Sequence, residues 1–514
     1  MRNLTVGATL VLALTTLACD TPAAPRTKPV CSEATFPSLP DVRIVSVSAG
    51  ADLAPHCKVA GVIGTETNFA LLLPDDWNGK FVMGGGGGFV GSVVNRALAY
   101  GALQAGYATA GTDTGHRGYA LDASWALHNL ERIVSFGHQA VHRTAVTARA
   151  LTSAYYGQDA SRNYFIGCSR GGGQALMEAQ RYPEDFDGIV AGAPAYDWTN
   201  ELGARNTWIN QAMYPNPRDL SEAVISPEEA ELIGKAVLDR CDSLDGLEDG
   251  ILSDPIQCEF DVSSLACGGG TTEACLGAPE VEAARRIYAG PRDQQGQIFP
   301  GYPPGGELSA GGWARWLTGG LDLQRDAVPS DMPPPDYPSL HFAFGNGVMR
   351  YLVYHDPDWS YADYSVESFR SDAASVAPTL NATNPDLSAF RERGGKLLMY
   401  TGWGDMALSP LGTIDYYQRV LEHDASAAED VRLFMMPGVD HCAGGVGPDW
   451  VDYLAMIDAW LETGGAPTHA TASWRDAQGQ DTGSRLICAY PKFPKYDGSG
   501  DPRDVASFAC QDGR

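Results

Sequence analysis

Three early runs, residues 42–45, 57–60 and 69–73, alternate apolar and polar positions at hairpin-like spacing. They predict antiparallel strands at one edge of a sheet. After Asn78-Gly79 the rhythm changes. Short apolar runs at 80–83, 107–110, 163–166 and 188–191 now alternate with helical stretches at 133–156 and 171–181. Unbroken apolar runs mark strands buried on both faces, as in a parallel sheet wrapped by helices. The rhythm returns at 396–400, with a helix at 411–422, a strand at 431–435 and a last helix at 449–462. Together these segments predict an α/β fold in two parts, residues 41–194 and 396–514.

Between the two parts the rhythm stops. Residues 195–395 are rich in Pro, Gly, Trp and acidic side chains. A stretch this long is not a loop of a compact domain, and it predicts a large inserted cap, or lid, domain. The tail from 468 onward has little helical periodicity. At the other end, residues 1–18 carry Arg2 and the apolar centre Val11-Leu12-Ala13-Leu14. That pattern predicts an export signal, too short to span a membrane. Thr16-Leu17-Ala18-Cys19 resembles a bacterial lipobox, in which Cys19 would be lipidated and tether the protein to a membrane. Ordinary cleavage in the same region is the alternative. Residues 19–40, Pro-rich between 21 and 29, read as a linker. The expected location is the periplasm, a membrane surface or the medium around a bacterial cell.

The net charge of -27 excludes a nucleic-acid partner, whose phosphates attract Lys and Arg, and fits a solvated surface. Of 11 cysteines, ten remain when Cys19 is set aside. An even set suits five disulfides in an oxidising compartment, with connectivity left open by parity.

Gly167-Cys168-Ser169-Arg170-Gly171 is a G-x-S-x-G sequence between a predicted buried strand and a predicted helix. That context makes Ser169 a nucleophile candidate, presented on a turn too tight for neighbouring side chains. The motif in this context points to an α/β-hydrolase fold, and a hydroxyl there needs a base and an orienting acid, which in that fold follow in the order acid, then histidine. Asp405 follows the strand at 396–400, and His441 follows the strand at 431–435. Cys168 precedes Ser169 and Cys442 follows His441, so a bridge between them would clamp nucleophile to base; pairing elsewhere is the alternative. The string Gly84-Gly85-Gly86-Gly87-Gly88 follows an early strand. Backbone N–H groups of Gly87 and Gly88, beside that of Arg170, are the candidate oxyanion donors. The string lacks the spacing of a nucleotide-binding loop. In the insertion, residues 241–251 place carboxylates and glycines on a tight loop of a kind that suits Ca²⁺, without the terminal Glu and flanking helices of an EF-hand. By composition alone an acidic surface loop is the better reading.

The chain resembles the tannase and feruloyl esterase family from about Val42 onward. The stretches that carry the resemblance are Thr112-Asp113-Thr114-Gly115-His116, Trp125-Ala126-Leu127, Gly167-Cys168-Ser169 with Gly171-Gly172, and Glu178 through Pro183 continuing to Pro194. Later come Gly402-Trp403 with Asp405, Ser409-Pro410, and Pro437-Gly438 with His441-Cys442. The resemblance implies a Cys168–Cys442 bridge beside the triad. It implies the pairs Cys241–Cys258, Cys267–Cys275 and Cys488–Cys510, leaving Cys31–Cys57. It also implies a structural Ca²⁺ held by Asp242, Asp245 and Asp249 with the carbonyls of Leu247 and Ile251. The implied activity is hydrolysis of a small aromatic ester of feruloyl, galloyl or terephthalate-monoester type through an acyl-enzyme. A catalytically silent, calcium-stabilised surface binding protein is the competing reading, and acyl transfer to another acceptor a third. The sequence departs from the family at Gly173, where Arg is common, at Gly404, where Ala is common, and at Asp440, where Gly is usual. Asp440 is expected either to raise the basicity of His441 or to disturb its loop.

Overall fold

The computed structural model describes residues 1, 29–268, 274–319 and 337–513. The expected signal and Cys19 lie outside these residues. Among the described residues no helix is long and apolar enough to cross a membrane.

A nine-stranded sheet organises the chain. Its strands are β1 (Val42–Gly50), β2 (His56–Ile63), β3 (Thr67–Pro74), β4 (Lys80–Gly84), β5 (Ala108–Thr112), β6 (Arg162–Ser169), β7 (Gly188–Pro194), β8 (Lys396–Gly402) and β9 (Val431–Met436). The spatial order is β1-β2-β3-β5-β4-β6-β7-β8-β9. β1, β2, β3 and β5 pair antiparallel, and every pair from β5 to β9 is parallel. All of β7 is buried, and so is β8 beyond Lys396, as expected of strands covered on both faces.

Helices α1 (Ala140–Tyr156), α2 (Arg170–Arg181), α3 (Pro410–His423) and α4 (Tyr453–Thr463) flank the sheet. Two differ from expectation. The helix expected over 133–156 is broken by a π turn at Ser135–Gln139, whose carbonyls are used elsewhere. The last helix starts at Tyr453, because Asp452 caps it by accepting from the Ala455 N–H while Asp449 is taken by the Gly444 N–H. Helix α2 lies so close to β7 that a Cβ on Gly172 would sit 2.1 Å from the Gly192 carbonyl oxygen.

No strand of the main sheet lies between Pro194 and Lys396 among the described residues. That stretch is mainly short helices. The longest, Pro227–Cys241, starts with a capping box of Ser226 and Glu229. Its apolar core is continuous with Phe89, Trp125 and Phe136 of the sheet part, so the insertion is packed onto the glycine string and does not form a separate globule. The tail forms two hairpins, β10–β11 (His469–Arg475, Asp481–Cys488) and β12–β13 (Lys492–Tyr496, Phe508–Asp512). Five disulfides are present: Cys31–Cys57, Cys168–Cys442, Cys241–Cys258, Cys267–Cys275 and Cys488–Cys510. These are the pairings implied by the family resemblance.

Candidate active site

Ser169 ends β6 and caps α2 with φ 62° and ψ -124°. This left-handed, strained backbone is rare for a residue with a Cβ. It arises because β6 passes straight into α2, while the register with β7 slips between Cys168 and Ser169. The strain holds the hydroxyl out of the sheet, at the start of a helix whose first N–H groups have no partner within the helix.

Asp405 follows β8, and His441 follows β9. His441 Nδ1 lies 2.8 Å from Asp405 Oδ2, and Asp405 is fully buried. The other oxygen, Oδ1, accepts the N–H groups of Ala407 and Leu408 at 2.8 and 2.9 Å. These bonds fix the orientation of the carboxylate. The next turn is held from behind: buried Glu201 accepts the Ser409 N–H at 2.8 Å and the Arg205 guanidinium at 3.1 Å.

Ser169 and His441 line one cavity of about 20 Å³, joined by Gly88, Arg170, Ala195, Trp198, Leu202, Trp316, Phe344, Ala407 and Leu408. The Cys168–Cys442 bridge spans 274 residues of sequence and ties the Ser169 turn to the His441 loop. Trp316 stands edge-on to His441, with ring centres 5.4 Å apart.

The glycine string packs against the nucleophile turn. The Gly171 N–H donates to the Gly86 carbonyl at 2.9 Å, and Gln174 accepts the Gly86 N–H at 3.1 Å. Gly88 has φ +53°, and a Cβ there would meet the Ala120 carbonyl oxygen at 2.2 Å, so a side chain is excluded. The motif around His116 braces this string. His116 Nε2 donates to the Phe89 carbonyl at 2.9 Å while the ring stacks on Trp125 at 3.8 Å. Burial pushes the His116 imidazole down to about 4, so it is neutral at pH 7. Arg170 offers only its backbone to the cavity's chemistry. Its guanidinium is buried over Phe136 and bonds the carbonyls of Phe136 and Gly137, in the π turn. Burial pushes that guanidinium down to about 9.

The cavity walls Trp198, Leu202, Trp316 and Phe344 carry no local sequence signature that sets them apart from core. The aromatic segment 351–364, open in sequence between core and pocket wall, belongs to the core: Tyr361 and Tyr364 are buried in it, and Tyr354 stacks on Trp359. Asp440 neither bonds His441 nor distorts the triad pair. Its carboxyl accepts the Ser309 hydroxyl from the insertion. At Gly173 a Cβ would lie 2.0 Å from the Ala195 carbonyl oxygen, so this backbone has no room for a larger residue.

In the acidic loop both oxygens of Asp242 accept the Gly250 N–H at 3.0 Å. Asp245 accepts the Leu247 N–H and the Ser253 hydroxyl, and Asp249 the Ile251 N–H. Buried Arg485, from the tail, sits 3.0 Å from Asp249 and 3.6 Å from Asp245. Asp242, Asp245 and Asp249 against one guanidinium leave two negative charges, beside that of Glu248 on the same loop, and burial raises the carboxyls of Asp242 and Asp245. A hard divalent cation fits this oxygen donor set. The three carboxylates are, however, not gathered at one point. A tighter cluster, His142, Glu178 and Asp185, lies between α1 and the end of α2. There burial, with the neighbouring Asp185 adding to it, raises the Glu178 carboxyl well above its usual range.

The family described as tannase and feruloyl esterase matches residues 52–511. A mono(2-hydroxyethyl) terephthalate hydrolase of Piscinibacter sakaiensis is 32% identical over 91% of this chain and 88% of its own. A probable feruloyl esterase of Arthroderma benhamiae is 35% identical over 86% of this chain and 81% of its own. Among solved structures, feruloyl esterase B from Aspergillus oryzae superposes with TM-score 0.78 at 25% identity, covering 92% of this chain and 97% of that one.

Proposed function

Because the chain belongs to the tannase and feruloyl esterase family and is an esterase, we propose that it hydrolyses esters of aromatic carboxylic acids through an acyl-enzyme, with Ser169 as nucleophile, His441 as base and Asp405 as orienting acid. The observation that carries this reading is the bonded His441–Asp405 pair facing the same cavity as the strained Ser169 turn.

In the first half-reaction Ser169 Oγ attacks the ester carbonyl and His441 Nε2 takes the hydroxyl proton. Asp405, bonded at Nδ1, holds the ring and stabilises the imidazolium. The N–H groups of Arg170 and of the string at Gly87 and Gly88 receive the oxyanion. His441 returns the proton to the departing alcohol. In the second half-reaction water attacks the acyl-enzyme with the same base. Trp198, Trp316 and Phe344 provide flat apolar walls for an aromatic acyl group.

The proposed cofactor is a structural Ca²⁺ at Asp242, Asp245 and Asp249 with the carbonyls of Leu247 and Ile251. It would neutralise the loop's residual charge and takes no part in acyl transfer. Export to an oxidising compartment is supported by the five disulfides.

The test is labelling with a fluorophosphonate, followed by peptide mass mapping, alongside Ser169→Ala and His441→Ala. The label falls on Ser169, and each variant loses kcat by roughly three orders of magnitude or more while staying folded. Activity near wild type in either variant ends the assignment.

A further inference from the structure

The loop that carries His441 has one buried acid outside the triad. Asp440 is 5% exposed, and its Oδ2 accepts the hydroxyl of Ser309. The Gly311 N–H donates to that same Ser309 hydroxyl oxygen at 3.3 Å and lies near enough to Asp440 to favour its charged form. Three glycines from three segments clear space for it. An added Cβ would come within 2.3 Å of Oδ2 at Gly311, 3.1 Å of Oδ1 at Gly404 and 3.2 Å of Oδ1 at Gly445. Two of the unusual positions in this sequence are thereby one feature, since the methyl of an alanine at 404 would crowd the Asp440 carboxyl.

The Ser309 turn leads straight to the cavity wall. The Gly312 N–H donates to the Ser309 carbonyl at 2.9 Å, that of Trp313 to Gly306 at 3.3 Å, and that of Trp316 to Gly312 at 3.0 Å. Trp316 ends this short helical segment and meets His441 edge-on. A displacement of Ser309 is therefore passed to Trp316 through backbone bonds.

We propose that Asp440 is a positioning residue, whose carboxylate ties the base loop to the 306–316 segment of the insertion and thereby seats Trp316 against His441. This rests on the triad reading above. The Ser309 hydroxyl donates to Asp440, so the bond is strongest when the acid is ionised. Burial is the main influence that raises its pKa, to about 6, and the like charge of Asp405 adds to it; Ser309, Gly311 and His441 oppose it. The charged and titratable groups facing it are Asp405 from the end of β8 and His441 from its own loop; the insertion contributes the uncharged Ser309 and Gly311. Glu307, nearby in sequence, is taken up by the Tyr288 hydroxyl and the Gly305 N–H. Protonation near pH 6 loosens the tie and with it the aromatic wall.

The experiment measures kcat and KM for one bulky aromatic ester from pH 5 to 9 in wild type, Ser309→Ala, Ser309→Thr and Asp440→Asn, with circular dichroism on each. At pH 8 Ser309→Ala raises KM by about tenfold, the loss of one charge-assisted bond, with kcat within about threefold. Ser309→Thr, which keeps the hydroxyl, restores the wild-type KM. In wild type KM rises as pH falls through about 6, and in Asp440→Asn this transition disappears. An unchanged KM in folded Ser309→Ala, or a KM transition that survives in Asp440→Asn, overturns the proposal. Activity surviving in Ser169→Ala would overturn the triad instead, while leaving the Ser309 and Asp440 comparison readable.

Discussion

At the scale of single residues, the site is built from groups held where an isolated side chain would not stay. Ser169 keeps a left-handed backbone, Gly88 occupies a position closed to any Cβ, and Asp440 keeps a carboxyl in a 5% exposed niche. The cost of the last can be measured. Burial raises the folded-state pKa of Asp440 to about 6, against roughly 3.9 for an unfolded aspartate. A raised acid contributes stability below the unfolded pKa and loses it as pH climbs through the folded one. Asp440 therefore costs stability above pH 6. Asp440→Asn should gain on the order of 2 kcal/mol at pH 8 and nothing at pH 4. Urea unfolding at the two pH values checks this, and an equal effect at both would show that ionisation is not the source.

At the scale of elements, function depends on how β6, β8 and β9 deliver their C-terminal ends to one place. Parallel pairing from β6 through β9 puts Ser169, Asp405 and His441 at the same edge of the sheet, which is where such sheets bind ligands. The Cys168–Cys442 bridge then ties the Ser169 turn to the His441 loop. Replacing both cysteines by serine should lower kcat by roughly tenfold or more, since small misplacement of a catalytic pair is costly. Far-ultraviolet circular dichroism should remain native, because the sheet does not rely on this crosslink. An unchanged kcat in the folded double variant would make the clamp dispensable.

At the scale of the whole molecule, the insertion and the tail act on the sheet from opposite directions in sequence. The cavity around Ser169 has about 20 Å³, space for little more than a water. Trp198, Trp316 and Phe344 of the insertion line that cavity, so the way the insertion is seated sets its size. The tail reaches the insertion through Arg485, whose guanidinium is fully buried between Asp245 and Asp249. Calcium bound there would stabilise the folded state by about 3 kcal/mol at a hundredfold excess over Kd. Chelation should lower Tm while kcat of the folded fraction stays near normal. Arg485→Ala leaves three unbalanced carboxylates, so its loss of roughly 3 kcal/mol or more should be partly recovered on adding Ca²⁺. Calorimetry should show a larger Ca²⁺-dependent Tm gain in the variant than in wild type; equal gains would place the ion elsewhere.

What the sequence determined by itself is what short-range rules encode. The apolar rhythm marked the strands from Val42 to Met436, since burial on one or both faces imposes its period within a few residues. G-x-S-x-G between a strand and a helix located Ser169, because the tight turn is written in its own glycines. The order of Asp405 and His441 followed from where the two later strands end. A Cys168–Cys442 bridge was suggested by the places of the two cysteines beside Ser169 and His441, while the other disulfide pairs were legible only through resemblance to the family. Tertiary structure alone decided the rest. The choice of Trp198, Trp316 and Phe344 as cavity walls could not be read locally, because a tryptophan in the core and one in a pocket have the same neighbours in sequence. The π turn that receives Arg170, the guanidinium of Arg485 under the acidic loop, and the Asp440–Ser309 tie across 131 residues depend on which surfaces meet. Such contacts are set by packing across the whole chain, and no local period records them.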